Sequence, residues 1–216
     1  MSAADTARAA DPKGQLDRGL EELGLELGRP ARRKLLDFAG LLDKWNRVYN
    51  LTGIRGAEQI VSGHLLDCLA IAPHVTGATA LDVGSGAGFP GIPLAIAHPG
   101  MQITLLDSNQ KKTAFLRQAV SELGLDNATV VGERVESWQP QEKFELIVSR
   151  ALADTGEFVR VSRHLLAADG VFAAMKGVIP HDELERLPQG YRVRKVLPLA
   201  VPGLEAQRHL ILVERS

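Results

Sequence analysis

Three glycines at alternate positions, Gly84, Gly86 and Gly88, follow a short apolar run that ends in Leu81-Asp82-Val83, and Pro90 stands just beyond them, where a helix can start. Glycine lets a backbone turn tightly and approach a ligand with no side chain in the way. The N–H groups at the start of the following helix then face any anionic group placed there. Any strand-to-helix turn can carry one glycine; three at this spacing point to a ligand loop. Asp107 is the second element. It stands 19 residues after Gly88, at the end of the next apolar run, close to the ~20-residue spacing of a carboxylate that accepts hydrogen bonds from ribose hydroxyls. Capping of the helix that begins near Lys111 is its structural alternative. Together the two features predict a nucleoside-containing cofactor.

Two cofactors fit, a nicotinamide dinucleotide and S-adenosylmethionine. The dinucleotide fingerprint is Gly-x-Gly-x-x-Gly; here the spacing is Gly-x-Gly-x-Gly, preceded by an acid, Asp82. S-adenosylmethionine has no pyrophosphate to cradle, and its ammonium can be balanced by a carboxylate such as Asp82, directly or through water. The pattern favours the methyl donor.

The elements that must position these residues alternate. Strands are expected at 79–83, 102–106, 128–131, 144–148 and 171–175, with helices at 90–97, 111–123 and 157–166 and a short one after Pro180. In the second of these helices Ala114, Phe115, Ala119, Val120 and Leu123 form the apolar side. Strand–helix alternation implies a parallel sheet covered on both faces. The last two strands, 191–199 and 209–213, are separated only by a region around Pro202-Gly203, which permits antiparallel pairing and no crossover. The fold class is therefore α/β, a Rossmann-like S-adenosylmethionine-dependent methyltransferase fold over residues 76–216, with a mostly parallel sheet and an antiparallel terminal strand.

Residues 1–75 read as an N-terminal helical appendage. Its helices are expected at 14–24, 30–50 and 57–70, the second with a stripe of Leu35, Phe38, Leu41, Leu42, Trp45, Val48 and Tyr49. That segment carries ten basic and ten acidic residues, so it has no positive excess. His64 and Asp67 sit three apart on one face of the third helix. Two ligands are too few for a metal, none is predicted, and the pair reads as a helix-surface hydrogen bond or a polar interdomain contact.

The chain has 216 residues, 45% hydrophobic and 24% charged, with net charge −1: globular composition that does not by itself imply a nucleic-acid partner. The single cysteine, Cys68, excludes an internal disulfide and a cysteine-based zinc cluster and reads as a small buried apolar residue. Residues 1–13 lack the basic start and apolar core of a signal peptide, and no apolar run spans a bilayer. The expectation is a cytoplasmic chain with a frayed N-terminus and no membrane partner.

The residues at the end of the fourth strand bear on the chemistry. Methylation of an exocyclic amine commonly uses an Asn/Asp-Pro-Pro-aromatic motif, and methylation of a pyrimidine carbon uses a nucleophilic cysteine. Here the strand ends in Ser149-Arg150-Ala151 and the only cysteine lies far upstream. Guanine N7 fits better, because its lone pair is nucleophilic with no proton to remove first. Placement in line with the sulfonium methyl then suffices, and no general base is expected.

The ordered motifs Trp45-Asn46, Asn50-Leu51-Thr52, His64-Leu65-Leu66-Asp67, Leu81 to Leu94 with Gly88-Phe89-Pro90-Gly91-Ile92-Pro93, Leu106-Asp107-Ser108, Arg134-Val135-Glu136, Ser149-Arg150-Ala151, Lys176-Gly177 and Arg208-His209-Leu210 resemble the RsmG (glucose-inhibited division protein B) family, the bacterial 16S ribosomal RNA guanine-N7 methyltransferases. The resemblance covers almost the whole chain. Cys68 departs from it, standing where serine is common. The resemblance implies methyl transfer from S-adenosylmethionine to N7 of one guanosine, position 527 in the 530 loop. The RNA would be met within a 30S particle or an assembly intermediate, by a protein expected to be a monomer. It implies that Gly84, Gly86, Phe89, Asp107, Val135, Glu136 and Arg150 hold the cofactor, with Arg150, the catalytic candidate, also beside the incoming base. Lys111, Lys112, Lys176, Arg208 and His209 are candidates for RNA phosphate contacts. A non-catalytic RNA-binding assembly factor and a nicotinamide-dependent oxidoreductase are the alternatives. The intact loop with Asp107 speaks against the first, the glycine spacing against the second.

Overall fold

A computed structural model describes residues 11–150 and 154–216; Ala151 and the first ten residues, where fraying is expected, lie outside them. Asp11 opens helix α1 (Pro12–Glu22), its side chain accepting the Lys13 N–H at 3.1 Å. Helix α2 (Arg29–Tyr49) has Pro30 in its first turn and stops at Asn50, which adopts the left-handed conformation. Helix α3 is composite: Ala57–Ile60, a π-helical segment Val61–Leu65 and Leu66–Leu69. The Leu66 N–H reaches back to Val61 O, so the helix carries one extra residue in that turn.

The sheet contains β1 (Thr79–Val83), β2 (Gln102–Leu106), β3 (Ala128–Val131), β4 (Phe144–Ser149), β5 (Leu166–Lys176), β6 (Tyr191–Leu199) and β7 (Arg208–Arg215), in the order β3-β2-β1-β4-β5-β7-β6. The first five pair in parallel, and β7 is antiparallel to β5 and to β6. The antiparallel strand is thus the last in the chain, lying one place in from the edge. The connecting helices are α4 (Gly91–Ala97), α5 (Gln110–Glu122), α6 (Thr155–Ser162) and α7 (His181–Leu184). Strand order reverses between β1 and β4, and the carboxyl ends of the parallel strands there open the crevice where such sheets take ligands.

Alternation along the strands divides the core. Ala80, Ile103, Leu105, Leu146 and Val148 face α1–α5, packing with Leu16, Phe38, Leu65, Ile92 and Phe115. Leu81, Leu106 and Ile147 face the other way, against Phe158 and Phe172. The N-terminal helices therefore share one apolar cluster with a face of the sheet.

Four details differ from expectation. Val48 and Tyr49 are 70% and 46% exposed, whereas Trp45, one turn earlier in α2, still packs against the core. In α5 Ala114 is exposed, and Thr113 and Leu116 are buried in its place. The third connecting helix stops at Ser162, followed by a single 3-10 turn at Arg163–Leu165. β5 then starts at Leu166, paired with Phe144 ahead of a register shift.

Candidate active site

β1 delivers the chain into the glycine loop, where Gly84, Gly86 and Gly88 have φ of 72°, 58° and 91°. The N–H groups of Gly84 and Ser85 both donate to Leu106 O, at 2.9 and 3.1 Å, which ties the loop to the end of β2. Asp107 is the next residue. Its Oδ2 accepts the Gly86 N–H at 2.9 Å and its Oδ1 the Asn109 N–H at 2.8 Å. Lys112 Nζ lies 3.8 Å from Oδ2. Each carboxylate oxygen keeps a lone pair. Helix α5 is capped by Asn109, whose Oδ1 accepts from Lys111 and Lys112 N–H groups, so Asp107 is not needed as its cap.

Gly84, Asp107, Val135 and Glu136 line one hollow of about 240 Å³. A Cβ at Gly84 would meet no protein atom within 4 Å, so the hollow reaches the loop backbone. A nucleoside fits this lining: two vicinal hydroxyls need two adjacent acceptors, which Asp107 offers, and Val135 supplies an apolar flank for a base.

One loop residue sits differently from expectation. Phe89 is buried rather than on the wall of that hollow. Its ring packs 5.3 Å from that of Phe38 and 4.6 Å from that of His64, with Arg150 Cζ 4.8 Å above it; the apolar contacts with the helical segment draw it inward. Asp82 is fully buried beneath the loop, with its Oδ1 left without a hydrogen-bond partner among the described residues, which keeps a contact through water open. Its Oδ2 accepts the Gly91 N–H at 3.0 Å, anchoring the start of α4. Burial pushes its carboxyl up to about 7.

A second hollow, of about 390 Å³, is lined by His64, Asp67, Arg150, Lys176, Gly177 and Arg208 among others. Asp67, from α3, bridges Arg150 Nη1 at 3.5 Å and Arg208 Nε at 3.1 Å. Burial raises the Asp67 carboxyl while the two arginines pull it down. His64 lies one helical turn away. Burial, then the Arg150 charge, lowers its imidazole to about 4, so it is neutral at physiological pH. Arginine can only donate, so the Arg150 Nη1–H donates to His64 Nδ1 at 3.0 Å and the His64 Nε2–H donates to Thr52 Oγ1 at 2.8 Å. The Thr52 N–H in turn donates to Asn46 Oδ1 at 2.9 Å.

Arg150, Lys176 and Arg208 therefore meet at one hollow. Lys176 also pairs with Glu183 at 2.8 Å. His209, opposite Lys176 in the β5–β7 ladder, uses its Nδ1 on Gly177 O at 2.6 Å. Lys111 and Lys112 stand in the first turn of α5, beside the Asp107 hollow. His64 and Asp67, read from their spacing as a helix-surface hydrogen bond or a polar interdomain contact, make the second of these: Arg150 directly follows β4 and Arg208 opens β7. A larger hollow of about 470 Å³, lined by Glu145 and Asp169 among others, lies at the amino ends of the strands and contains none of these residues. Among the described residues no helix is long and apolar enough to cross a membrane.

A β1–β4 switch, a glycine loop, a ribose-spaced carboxylate and an antiparallel β7 inserted between β5 and β6 together make the arrangement of an S-adenosylmethionine-dependent methyltransferase fold. Solved structures agree on the fold. The glycopeptide N-methyltransferase MtfA complexed with S-adenosyl-L-homocysteine superposes with a TM-score of 0.61 at 13% identity, covering 71% of this chain and 87% of that one. TrmN from Thermus thermophilus gives 0.52 at 18% identity, covering 79% and 53%. The family model described as GidB, rRNA small subunit methyltransferase G, matches residues 31–211. The ribosomal RNA small subunit methyltransferase G of Chromobacterium violaceum is 56% identical over 198 residues, 91% of this chain and 95% of that protein. Its counterpart in Laribacter hongkongensis is 56% identical over 199 residues, 92% and 96%. The chain belongs to the ribosomal RNA small subunit methyltransferase G family.

Proposed function

We propose that this protein transfers a methyl group from S-adenosylmethionine to N7 of a single guanosine of 16S ribosomal RNA, position 527 in the 530 loop, within a 30S particle or an assembly intermediate. The observation that carries the reading is the pair of hollows at the carboxyl edge of the sheet, one built around Asp107 and the other around Arg150. Gly84 of the glycine loop lines the first, and Arg150, which lines the second, rests on Phe89 of the same loop.

In this reading Gly84 and Gly86 bring loop backbone to the donor, Asp107 accepts its ribose hydroxyls, and Val135 and Glu136 flank its adenine. When bound, S-adenosylmethionine supplies an electrophilic methyl group on a sulfonium, which guanine N7 takes up without losing a proton. The protein's work is therefore placement. Arg150 stands beside the donor and the incoming base, at the edge of the second hollow, and Lys111, Lys112, Lys176, Arg208 and His209 meet phosphates. With net charge −1, RNA affinity depends on this local clustering. A loop base must also leave its stack to reach the site.

The test is transfer of labelled methyl from S-adenosylmethionine to small-subunit RNA or 30S particles taken from cells lacking this protein. Incorporation is the expected result. RNA binding with no incorporation on either substrate would favour a non-catalytic assembly factor.

A further inference from the structure

We propose that the hollow beside Arg150 is a subsite for one phosphodiester group of the RNA, and that Asp67 presets it by holding Arg150 and Arg208 as a fixed pair of guanidiniums. This rests on the reading that the substrate is RNA, and adds which group the hollow grips and which residue shapes the grip.

Three elements converge here: Asp67 from α3, Arg150 from the end of β4 and Arg208 from the start of β7. The Asp67 side chain is 5% exposed, and those of Arg150 and Arg208 are 22% and 28% exposed. Two cations face one anion, so the cluster keeps an excess positive charge, whereas Lys176 has Glu183 beside it. Arg150 spends Nη1 on His64, Asp67 and the Cys68 sulfur. Arg208 spends Nε on Asp67 and Nη1 on Gln207 O at 2.8 Å. That leaves Nη2 of both arginines and Nε of Arg150 without hydrogen-bond partners among the described residues. Guanidinium forks held in place with donors to spare match a tetrahedral oxyanion. The target base fits this hollow less well. Methylation at N7 makes the guanine ring cationic, and two guanidiniums against it would oppose the charge that develops. The carboxylate of the methyl donor shares the oxyanion chemistry, so the experiment must separate the two sources.

Removing a carboxylate from a phosphate-binding surface tightens RNA binding if bulk charge alone decides. A preset clamp predicts the opposite sign. Small-subunit RNA is titrated by fluorescence anisotropy against the full-length wild type, Asp67→Asn, Arg208→Met and Arg208→Lys at several salt concentrations, with S-adenosylmethionine affinity measured by calorimetry in parallel. Asp67→Asn should weaken RNA binding roughly tenfold although it makes the protein more positive. Arg208→Met should flatten the slope of log K against log salt by about 0.7, the value of one lost phosphate contact on a single strand. Affinity for S-adenosylmethionine should stay unchanged. RNA binding by Asp67→Asn equal to or tighter than wild type overturns the proposal. So does a loss confined to S-adenosylmethionine affinity, which would assign the oxyanion to the donor. If Asp67→Asn does not fold, Arg208→Lys decides: it keeps the charge and loses the fork, so a several-fold weakening supports the clamp and no change overturns it. A wild type that binds no small-subunit RNA removes the RNA reading itself. A wild type that methylates RNA while every variant binds it normally removes only the clamp.

Discussion

His64 accepts a hydrogen bond from Arg150 through Nδ1, at 3.0 Å, across 86 residues of chain. The imidazole ring lies 4.6 Å from that of Phe89, and Arg150 covers the same phenyl ring at 4.8 Å. One arginine therefore links the helical segment, the glycine loop and the end of β4. Its guanidinium also meets Asp67 and the Cys68 sulfur. A point charge on a flexible stem cannot make that set of contacts.

Arg150→Lys should accordingly lower kcat/KM for methyl transfer on the order of 10²-fold through loss of placement. Initial rates with labelled S-adenosylmethionine read this directly, and a rate within a few-fold of wild type would show that the fork is not needed.

Asp107→Ala removes both acceptors facing the nucleoside hollow and the contacts to Gly86 and Asn109. Charged hydrogen bonds contribute about 1.5–3 kcal/mol each, so S-adenosylmethionine affinity should fall by about 10²-fold or more. Calorimetry checks it. An unchanged dissociation constant would move the ribose elsewhere.

Gly84→Ala and Gly91→Ala should separate binding from stability. At Gly84 the φ of 72° costs an L-residue about 1–2 kcal/mol, and the new methyl group projects into the hollow, so cofactor binding is lost with a modest loss of stability. At Gly91 a Cβ would lie 2.2 Å from Leu105 Cδ2 and 2.7 Å from Asp82 Oδ2. Overpacking there costs about 1–3 kcal/mol or more, so the larger drop in urea midpoint belongs to Gly91→Ala. Equal drops in the two midpoints would contradict the assignment.

Asp82 makes stability depend on pH. Burial raises its carboxyl from 3.8 to about 7, so the folded chain holds a proton that the unfolded chain releases. The contribution is fully present below about pH 4 and is lost as pH rises through about 7. Asp82→Asn cannot titrate. Between about pH 5 and about pH 8 the wild type should lose stability relative to Asp82→Asn, and parallel denaturation curves for the two proteins would contradict this.

Local pattern carried most of the fold into view. The bounds of β1, β2, β3 and β6 coincide with the expected spans, since each is a short apolar or alternating run, the first three closed by Gly84, Asp107 and Gly132. The loop and Asp107 were legible for the same reason: the residues proposed to meet the nucleoside stand at a fixed local spacing. The early start of β5 was hidden by Asp169-Gly170, which reads as a turn but lies within the strand. The π segment in α3 leaves no trace in a periodicity that tolerates either register.

The Arg150 hollow was only half legible. Arg150, Lys176 and Arg208 were identifiable as cations at strand ends, but the carboxylate that joins two of them lies 141 residues from Arg208. No local periodicity encodes a contact across that distance. His64 and Asp67 shared a helix face by spacing, and only the topology shows what that face meets. Phe89 illustrates the reverse error. It stands in the ligand loop's motif, yet packing against Phe38 and His64 turns its ring inward.

The identity of the methylated atom decides the function. Small-subunit RNA from cells lacking this protein is incubated with the protein and S-adenosylmethionine, then cleaved at N7-methylguanosine and read by primer extension. The expected result is one new cleavage, at guanosine 527 in the 530 loop, absent without the protein. Incorporated methyl with no N7-dependent cleavage, or cleavage at a different guanosine, would contradict it.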